Sequence, residues 1–339
     1  MSAQAATVPF TLQFVKTIGM ISNVATGRGF LSPSATAISS DGRIFVLDQS
    51  LVRVTICNLD EEYLGEFATW YGDGEGDKQL GKPTDMAFDS DERLYITDET
   101  NHCVFVYDSS SEYHGKWGEE GNGKGQLSGP SGIALDSEDN VYVVDQYNNR
   151  VQKFTRDGEY VLEWGEFGQG DGQLNLPWGI TVDSEDNVYV ADWRNDRIQK
   201  FTSDGRFLAK YGESGDGDGQ FVRPADVAVD KDGYIYVADW GNERVQVLGP
   251  DGSFQTKLRG QATLTKWTED FFASNPDERD TRAVANLVPT LPEHLSDPYN
   301  VSSQTEPYFW GVMDLAFDAE GRLYVTEFRR HRLQIYERG

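Results

Sequence analysis

Three aspartates share one position in a repeated motif and could act together in chemistry. They are Asp85, Asp226 and Asp314, and the other units of the repeat carry alanine or glycine there. If the repeats surround an axis, these carboxylates converge on it. There they could bind a hard divalent cation such as calcium or serve as acid and base with raised pKa values. The structural alternative is that each aspartate caps its own loop through backbone N–H groups.

Aromatic residues and arginines form a second candidate site. Every unit has an acid at the end of its second β-rich segment, and this recurrence indicates a structural role for the acid and for the arginine that follows it in most units. The residue after the acid varies, and in three neighbouring units it is aromatic. Such a patch suits an organic anion or a peptide, whereas packing beneath an insertion is the structural alternative. The candidate binding residues are Trp178, Trp193, Arg194, Trp240, Phe328 and Arg329.

Histidines are few, with four in the whole chain. Their spacing predicts neither a zinc site of three histidines nor a Ser-His-Asp arrangement. His294 is a candidate for polarising a substrate, together with Arg194 or Arg329. The composition favours a cation bound by carboxylates over one bound by histidines.

A regular repeat must position all of these residues. Pro83, Pro130, Pro177 and Pro224 follow one another every 47 residues, and each opens a near copy of one motif. A period of this length indicates a repeat architecture. Each of six units reads as four short strands rich in β-branched and aromatic residues, which predicts an all-β, six-bladed β-propeller. The Gly- and Asp-rich stretches between units, such as residues 73–77, are predicted to be turns rather than calcium loops.

The two ends of the chain predict how the ring closes. The last unit stops after its third strand, while residues 12–18 resemble the fourth strands of other units. An N-terminal strand over residues 12–18 would complete the last blade and remove two exposed sheet edges. Residues 10–339 are therefore predicted to form a single propeller.

Several segments resemble NHL repeats. The segments that show this resemblance are a Pro-x-Gly-Ile-Ala-x-Asp stretch, a Val-Tyr-Val-x-Asp strand and an Asn-x-Arg-Val-Gln-x-Phe segment. They are found at residues 130–136, 141–145 and 148–154. The resemblance implies a six-bladed propeller of the NHL type. It leaves the activity open, because that family includes protein- and RNA-binding modules, sensor domains, lyases and lactonases. Lactonase-like propellers hold an axial metal with Asp, Glu and Asn, but their ligand motif is not recognisable here.

One segment interrupts the period between the fifth and sixth units, at residues 260–310. Asn275, Pro276 and the two acids after them predict the start of a helix, and the apolar residues of the preceding stretch stand at helical spacing. Two short helices and a Pro-rich return are predicted. Because the segment follows a fourth strand, it is predicted to lie over the mouth of the central channel as a lid. An oligomer contact or a packing element is the alternative.

The charge balance limits the partners. The chain has 56 acidic and 30 basic residues and a net charge of −26, which disfavours nucleic acid and anionic membrane surfaces. The sequence shows no signal peptide and no transmembrane span. The two cysteines are not predicted to pair, and together these features favour a cytoplasmic location.

Two functions follow from these observations. The first is a binding module without enzymatic activity, which takes a protein or a small-molecule ligand through one face and the lid-covered channel mouth. The alternative is a propeller enzyme, either a lyase or a lactonase-like hydrolase, with a divalent cation held by Asp85, Asp226 and Asp314. The sequence leaves open the substrate, the partner, the metal content and the oligomeric state.

Overall fold

The chain forms a closed ring of six four-stranded antiparallel sheets. The structure is a computed structural model that describes residues 10–22, 27–68 and 79–339, so the loop at residues 73–77 lies outside the described residues. The six-bladed β-propeller predicted from the repeat is confirmed. Among the described residues no helix is long and apolar enough to cross a membrane.

The strands follow the repeat along the chain. The first half contains β1 (Leu12–Ile18), β2 (Pro33–Ile38), β3 (Ile44–Asp48), β4 (Arg53–Cys57), β5 (Tyr63–Phe67), β6 (Pro83–Phe88), β7 (Arg93–Asp98), β8 (Cys103–Asp108), β9 (Tyr113–Trp117), β10 (Pro130–Leu135), β11 (Val141–Asp145), β12 (Arg150–Phe154) and β13 (Tyr160–Trp164). The second half contains β14 (Ile180–Val182), β15 (Val188–Asp192), β16 (Arg197–Phe201), β17 (Phe207–Tyr211), β18 (Pro224–Val229), β19 (Ile235–Asp239), β20 (Arg244–Leu248), β21 (Phe254–Leu258), β22 (Val312–Phe317), β23 (Leu323–Glu327) and β24 (Arg332–Arg338).

Each blade is an antiparallel meander of four strands, and its first strand lies nearest the central channel while its fourth lies at the outside of the ring. The last blade has the order β1-β24-β23-β22, so its outermost strand comes from the N-terminal segment. Leu12 pairs with Arg338 and Ile18 pairs with Leu333. This pairing joins the two ends of the chain and leaves the ring without a gap in that sheet.

Burial follows the position of a strand within its blade. All residues of β11 are buried, whereas β13 alternates between half-buried and exposed residues. Inner strands are covered on both sides by neighbouring blades, as where Tyr142 and Val144 pack with Val188 and Val190 of the next blade. The hydrophobic core therefore lies between blades, and the blades hold each other in place.

A buried acid and a buried arginine fix the loop between the second and third strands of a blade. Asp145 accepts hydrogen bonds from the Ser128 backbone N–H (2.6 Å) and from Arg150 Nε (2.7 Å). Arg150 also donates to the carbonyls of Gly123 and Gln126 in the link that enters the blade. The structural role predicted for this pair is confirmed. The arrangement recurs at Asp192–Arg197, Asp239–Arg244 and Glu327–Arg332.

The insertion contains three α-helices where two were predicted. They are α1 (Lys266–Ser274), α2 (Pro276–Ala283) and α3 (Pro298–Gln304), and α2 begins at the Asn275–Pro276 signal. Short 3₁₀ helices occupy Gln146–Asn148, Trp193–Asn195, Trp240–Asn242 and Glu293–Leu295.

Two contacts attach the insertion to the ring at separate places. Trp267 of α1 is buried against Phe30 at the seam between the last and first blades, with ring centroids 5.7 Å apart. At the other end, Arg330 donates to the carbonyls of Ser302 and Thr305 at the C-terminal end of α3. A guanidinium is favourable there because the helix dipole places partial negative charge at that end.

Candidate functional site

A cavity of about 180 Å³ opens at the mouth of the central channel. It lies on the top face, which we define as the end of the ring that carries the loops between the second and third strands of each blade. Eight residues line it, and they come from several blades: Gln49, Trp178, Trp193, Ala225, Trp240, Met313, Phe328 and Arg329.

The aromatic walls of the cavity stand on rigid turns. Trp193 and Trp240 are the first residues of two short 3₁₀ helices, directly after Asp192 and Asp239. Both aspartates are fully buried and hold their loops through arginine, amide and backbone N–H donors. Rings mounted on such loops are held in position before a ligand arrives, which reduces the entropy cost of binding.

The structure brings together five of the six residues predicted as a binding patch. Arg194 does not line the cavity, but its guanidinium carbon lies 4.8 Å from the ring centroid of Trp193. The sequence did not indicate Ala225 and Met313, which lie in the first strands of their blades, β18 and β22, and also line the cavity. It also left out Gln49, although this residue follows the acid of the first unit as Trp193 follows that of the fourth.

Positive charge surrounds the aromatic rings. Arg223 also stands over Trp193, at 5.2 Å from its centroid. Arg329 lies over Trp310 at 5.7 Å and over Tyr299 at 5.3 Å, and it donates to the Tyr299 hydroxyl at 3.1 Å. These stacking contacts orient the guanidinium groups and leave their N–H edges available.

One buried carboxyl lies close to this positive charge. Glu243 is 2% exposed and accepts a hydrogen bond from the Gly311 backbone N–H at 2.6 Å. Burial raises the pKa of Glu243 to about 7, an effect that the charges of Arg329 and Arg259 oppose and that of Glu327 reinforces. At neutral pH its negative charge is therefore only partly developed.

A narrow void of about 10 Å³ lies in the channel and shares Trp178 and Met313 with the cavity walls. Asp85, Asp226 and Asp314 all line it, so the three predicted aspartates do converge on the axis. Asp226 and Asp314 are buried, and Asp85 is half-buried. Burial raises the pKa of Asp85 to about 7.

The axial aspartates join neighbouring blades. Asp85 accepts from the Ile133 N–H at 2.9 Å, Asp226 from the Leu315 N–H at 2.9 Å and Asp314 from the Thr36 N–H at 2.8 Å. Each of these bonds crosses to the following blade, but Asp85 also accepts from the N–H of Met86 in its own strand at 2.7 Å, so the structural alternative, in which each aspartate caps its own loop, is met in part at Asp85. Burial together with the nearby carboxylates raises the pKa of Asp226 and Asp314 well above the usual range.

The axial residues do not fit a metal ion well. The described residues contain no group of three or more His, Cys, Asp or Glu side chains arranged to hold one. The carboxylate oxygens accept backbone N–H groups, and donors pointing at an oxygen occupy the lone pairs that a cation would need. We therefore derive no chemistry through a metal at Asp85, Asp226 and Asp314.

The histidines lie away from the cavity. His102 accepts from the Gly129 N–H at 3.0 Å, and His331 Nδ1 lies 2.6 Å from the Leu31 carbonyl, so both link adjacent blades. His114 pairs with Asp108 in the outer strands. His294 is exposed in the insertion and does not line the cavity.

The insertion borders the cavity without lining it. Helix α3 packs beside the turn Trp240–Asn242, and its Tyr299 holds Arg329. All lining residues lie outside the segment 260–310. A covering role for the insertion stays a prediction.

Together, fold and cavity define a class: a six-bladed propeller with a small aromatic pocket at the top of its channel. The model of the SMP-30/Gluconolactonase/LRE-like region matches residues 23–214, and the NHL repeat model matches residues 221–248. Since the first match covers more than half of the chain, this protein belongs to the SMP-30/gluconolactonase/LRE-like family. A comparison with curated proteins found no match.

Solved structures of lyases and of a gluconolactonase share the fold. A virginiamycin B lyase from Staphylococcus aureus has a TM-score of 0.58 at 12% identity, with 97% of this chain and 99% of that chain covered. A gluconolactonase from Xanthomonas campestris has a TM-score of 0.60 at 14% identity, with 92% and 87% covered. A streptogramin B lyase has a TM-score of 0.56 at 12% identity, with 97% and 98% covered. At such identities the similarity establishes the fold alone.

Proposed function

We propose that this protein binds a small organic molecule in the aromatic cavity of the top face. The observation that carries the proposal is the convergence of Trp178, Trp193, Trp240 and Phe328 on one concave site at the channel mouth. Ligand sites are typically concave and apolar with a few placed polar groups, and here Gln49 and Arg329 supply those groups. A volume of about 180 Å³ suits a single ring with a short substituent, or one end of a longer ligand.

A small molecule is favoured over a protein partner by the shape of the site. Protein interfaces are broad and bury several hundred Å² on each side, whereas this cavity has a volume of only about 180 Å³ and is lined by rings from different blades. The net charge of −26 continues to disfavour nucleic acid and anionic membranes as partners.

An enzymatic function is the second candidate, and the family match supports it. A lyase or lactonase-like hydrolase would bind its substrate in the same cavity. No Asp, Glu, His or Cys lines that cavity among the described residues, so an acid or base would come from outside its lining, for example from the axial carboxyls of the void that shares Trp178 and Met313 with it. Asp85 is the best candidate, because a pKa of about 7 suits proton transfer at neutral pH.

Replacing Trp240 with alanine tests the binding proposal. We expect the variant to bind an aromatic ligand about tenfold to a hundredfold more weakly, because a buried indole contributes about 1–3 kcal/mol to apolar contact. Isothermal titration calorimetry with a library of single-ring compounds would measure the loss. Phe167→Ala is the control, since Phe167 is 70% exposed and lies outside the cavity. Equal affinities in Trp240→Ala and Phe167→Ala would contradict the proposal.

The enzymatic candidate has a separate test. If the protein hydrolyses a sugar lactone, a pH-stat would record acid release, and Asp85→Asn should abolish it. Glu138→Gln, at an exposed turn, should keep the activity. Activity that survives in Asp85→Asn would exclude this residue as the acid or base.

A further inference from the structure

Three arginines around the cavity lack the carboxylate partners that other arginines of this face have. Arg150, Arg197 and Arg244 each form a short ion pair with a buried aspartate. Among the described residues, no ion pair is found for the three around the cavity. They are Arg194, Arg223 and Arg329.

Their lack of partners is informative because the chain is strongly acidic. With 56 acidic residues against 30 basic ones, carboxylates are abundant, yet none of those in the described part of the chain forms an ion pair with these three guanidinium groups. Glu243, the buried carboxyl near Arg329, accepts the Gly311 N–H instead. Its raised pKa limits the negative charge that it can offer at neutral pH. Among the described residues that line the cavity, Arg329 is the only charged one.

Aromatic cages can also bind cationic ligands, but here arginine side chains of the protein already stack on two of the tryptophan rings. Arg194 and Arg223 both lie over Trp193, and Arg329 stacks on Trp310. A second cation in the cavity would meet the positive charge of Arg329, which lines it. An anion would instead gain a charge-assisted hydrogen bond from a guanidinium that is already oriented.

Resting on the function proposed above, we infer that the ligand is a small organic anion, a carboxylate with a flat apolar body. The carboxylate pairs with Arg329 at the rim, and the apolar body lies among Trp178, Trp193 and Trp240. Arg194 and Arg223 add attraction at longer range and raise the rate of association.

This arrangement predicts a pH dependence. As the pH rises through about 7, Glu243 ionises, and its charge competes with the ligand for Arg329. We expect the affinity for a carboxylate to fall several-fold between pH 6 and pH 8. The charged groups that act on Glu243 are Arg329, Arg259 and Glu327, and neither arginine titrates in this range. In Glu243→Gln, which keeps an oxygen for the Gly311 N–H, the affinity should change less over the same range, and the remaining change would come from Asp85, whose pKa burial also raises to about 7.

Calorimetry with three matched probes tests the inference. Phenylacetate, phenylacetamide and phenethylammonium share one ring and differ in charge. We expect phenylacetate to bind at least tenfold more tightly than the amide, and the cation to bind most weakly. Arg329→Gln should remove the advantage of the anion, lowering the affinity for phenylacetate at least tenfold and the affinity for the amide much less. Arg206→Gln, in an exposed turn at the other end of the blade, should behave as wild type.

The possible failures are distinguishable. If the amide binds as tightly as the anion and both are lost in Trp240→Ala, the cavity binds ligands but the anion inference is wrong. Tightest binding by phenethylammonium would also overturn the inference. If none of the three probes binds at millimolar concentration, the proposed function fails and the inference fails with it.

Discussion

Replacing Trp267 with alanine is expected to lower the free energy of unfolding by about 3–5 kcal/mol, the range for removing a large buried aromatic side chain. Trp267 is 1% exposed. It packs against Phe30, and its indole N–H donates to the carbonyl of Glu61 in the first blade. Chemical denaturation followed by circular dichroism would measure the change.

The position of Trp267 explains why the effect should be large. At regular seams an aromatic residue at the end of an outer strand packs on the turn of the next blade, as Trp117 does on Gly158 and Trp164 on Gly205. At the seam where the ring closes, β1 ends in the smaller Ile18. Trp267 from the insertion fills this place, so the insertion helps to close the ring.

The neighbouring Phe271→Ala provides the control. Phe271 belongs to the same helix but is 42% exposed, so its replacement should cost about 1 kcal/mol or less. Hydrogen exchange adds a second readout: in Trp267→Ala the amides of β1 and β24 should exchange faster than those of β11 and β12. Similar destabilisation by both variants, with no local change at β1, would show that Trp267 does not secure the seam.

The stability of the protein should fall as the pH rises from about 4 to about 8. In the folded state burial raises the pKa of Asp85 from its ordinary value of 3.8 to about 7. Between these two values the folded state binds more protons than the unfolded state, so deprotonation favours unfolding. The shift corresponds to roughly 2–4 kcal/mol over this window, and Asp226 and Asp314 act in the same direction.

Comparison of Asp85→Asn with the wild type isolates this contribution. The variant loses one acceptor for a backbone N–H and should be less stable at low pH, but its stability should depend less on pH. Glu138→Gln changes the net charge by the same amount at an exposed site and should keep the wild-type slope. Parallel pH curves for Asp85→Asn and the wild type would show that this carboxyl does not titrate in the window.

The sequence predicted the ring well because each blade repeats the same local information. The proline spacing marked the start of four of the six units, and the β-rich segments between turns matched the observed strands. The binding patch was partly predictable for the same reason. Once the acids at positions such as Asp192 and Asp239 are known to be structural, the variable residue after each acid becomes a candidate for function.

Other features depend on contacts between blades, which a repeat alone does not reveal. Asp85 accepts from the N–H of Ile133 in the next blade, and this bond follows from how neighbouring blades are offset. Arg223 comes near Trp193 only through the packing of adjacent blades. The insertion has no counterpart in the other units, so nothing in the repeat could predict that Trp267 docks at the closing seam.

A crystal soaked with 4-bromophenylacetate would test the central claim most directly. We expect an anomalous bromine peak among Trp178, Trp193 and Trp240, with density for the carboxylate at Arg329. A bromine peak away from these three rings, or no peak at an occupancy that calorimetry predicts to be high, would contradict the claim that the aromatic cavity is the binding site.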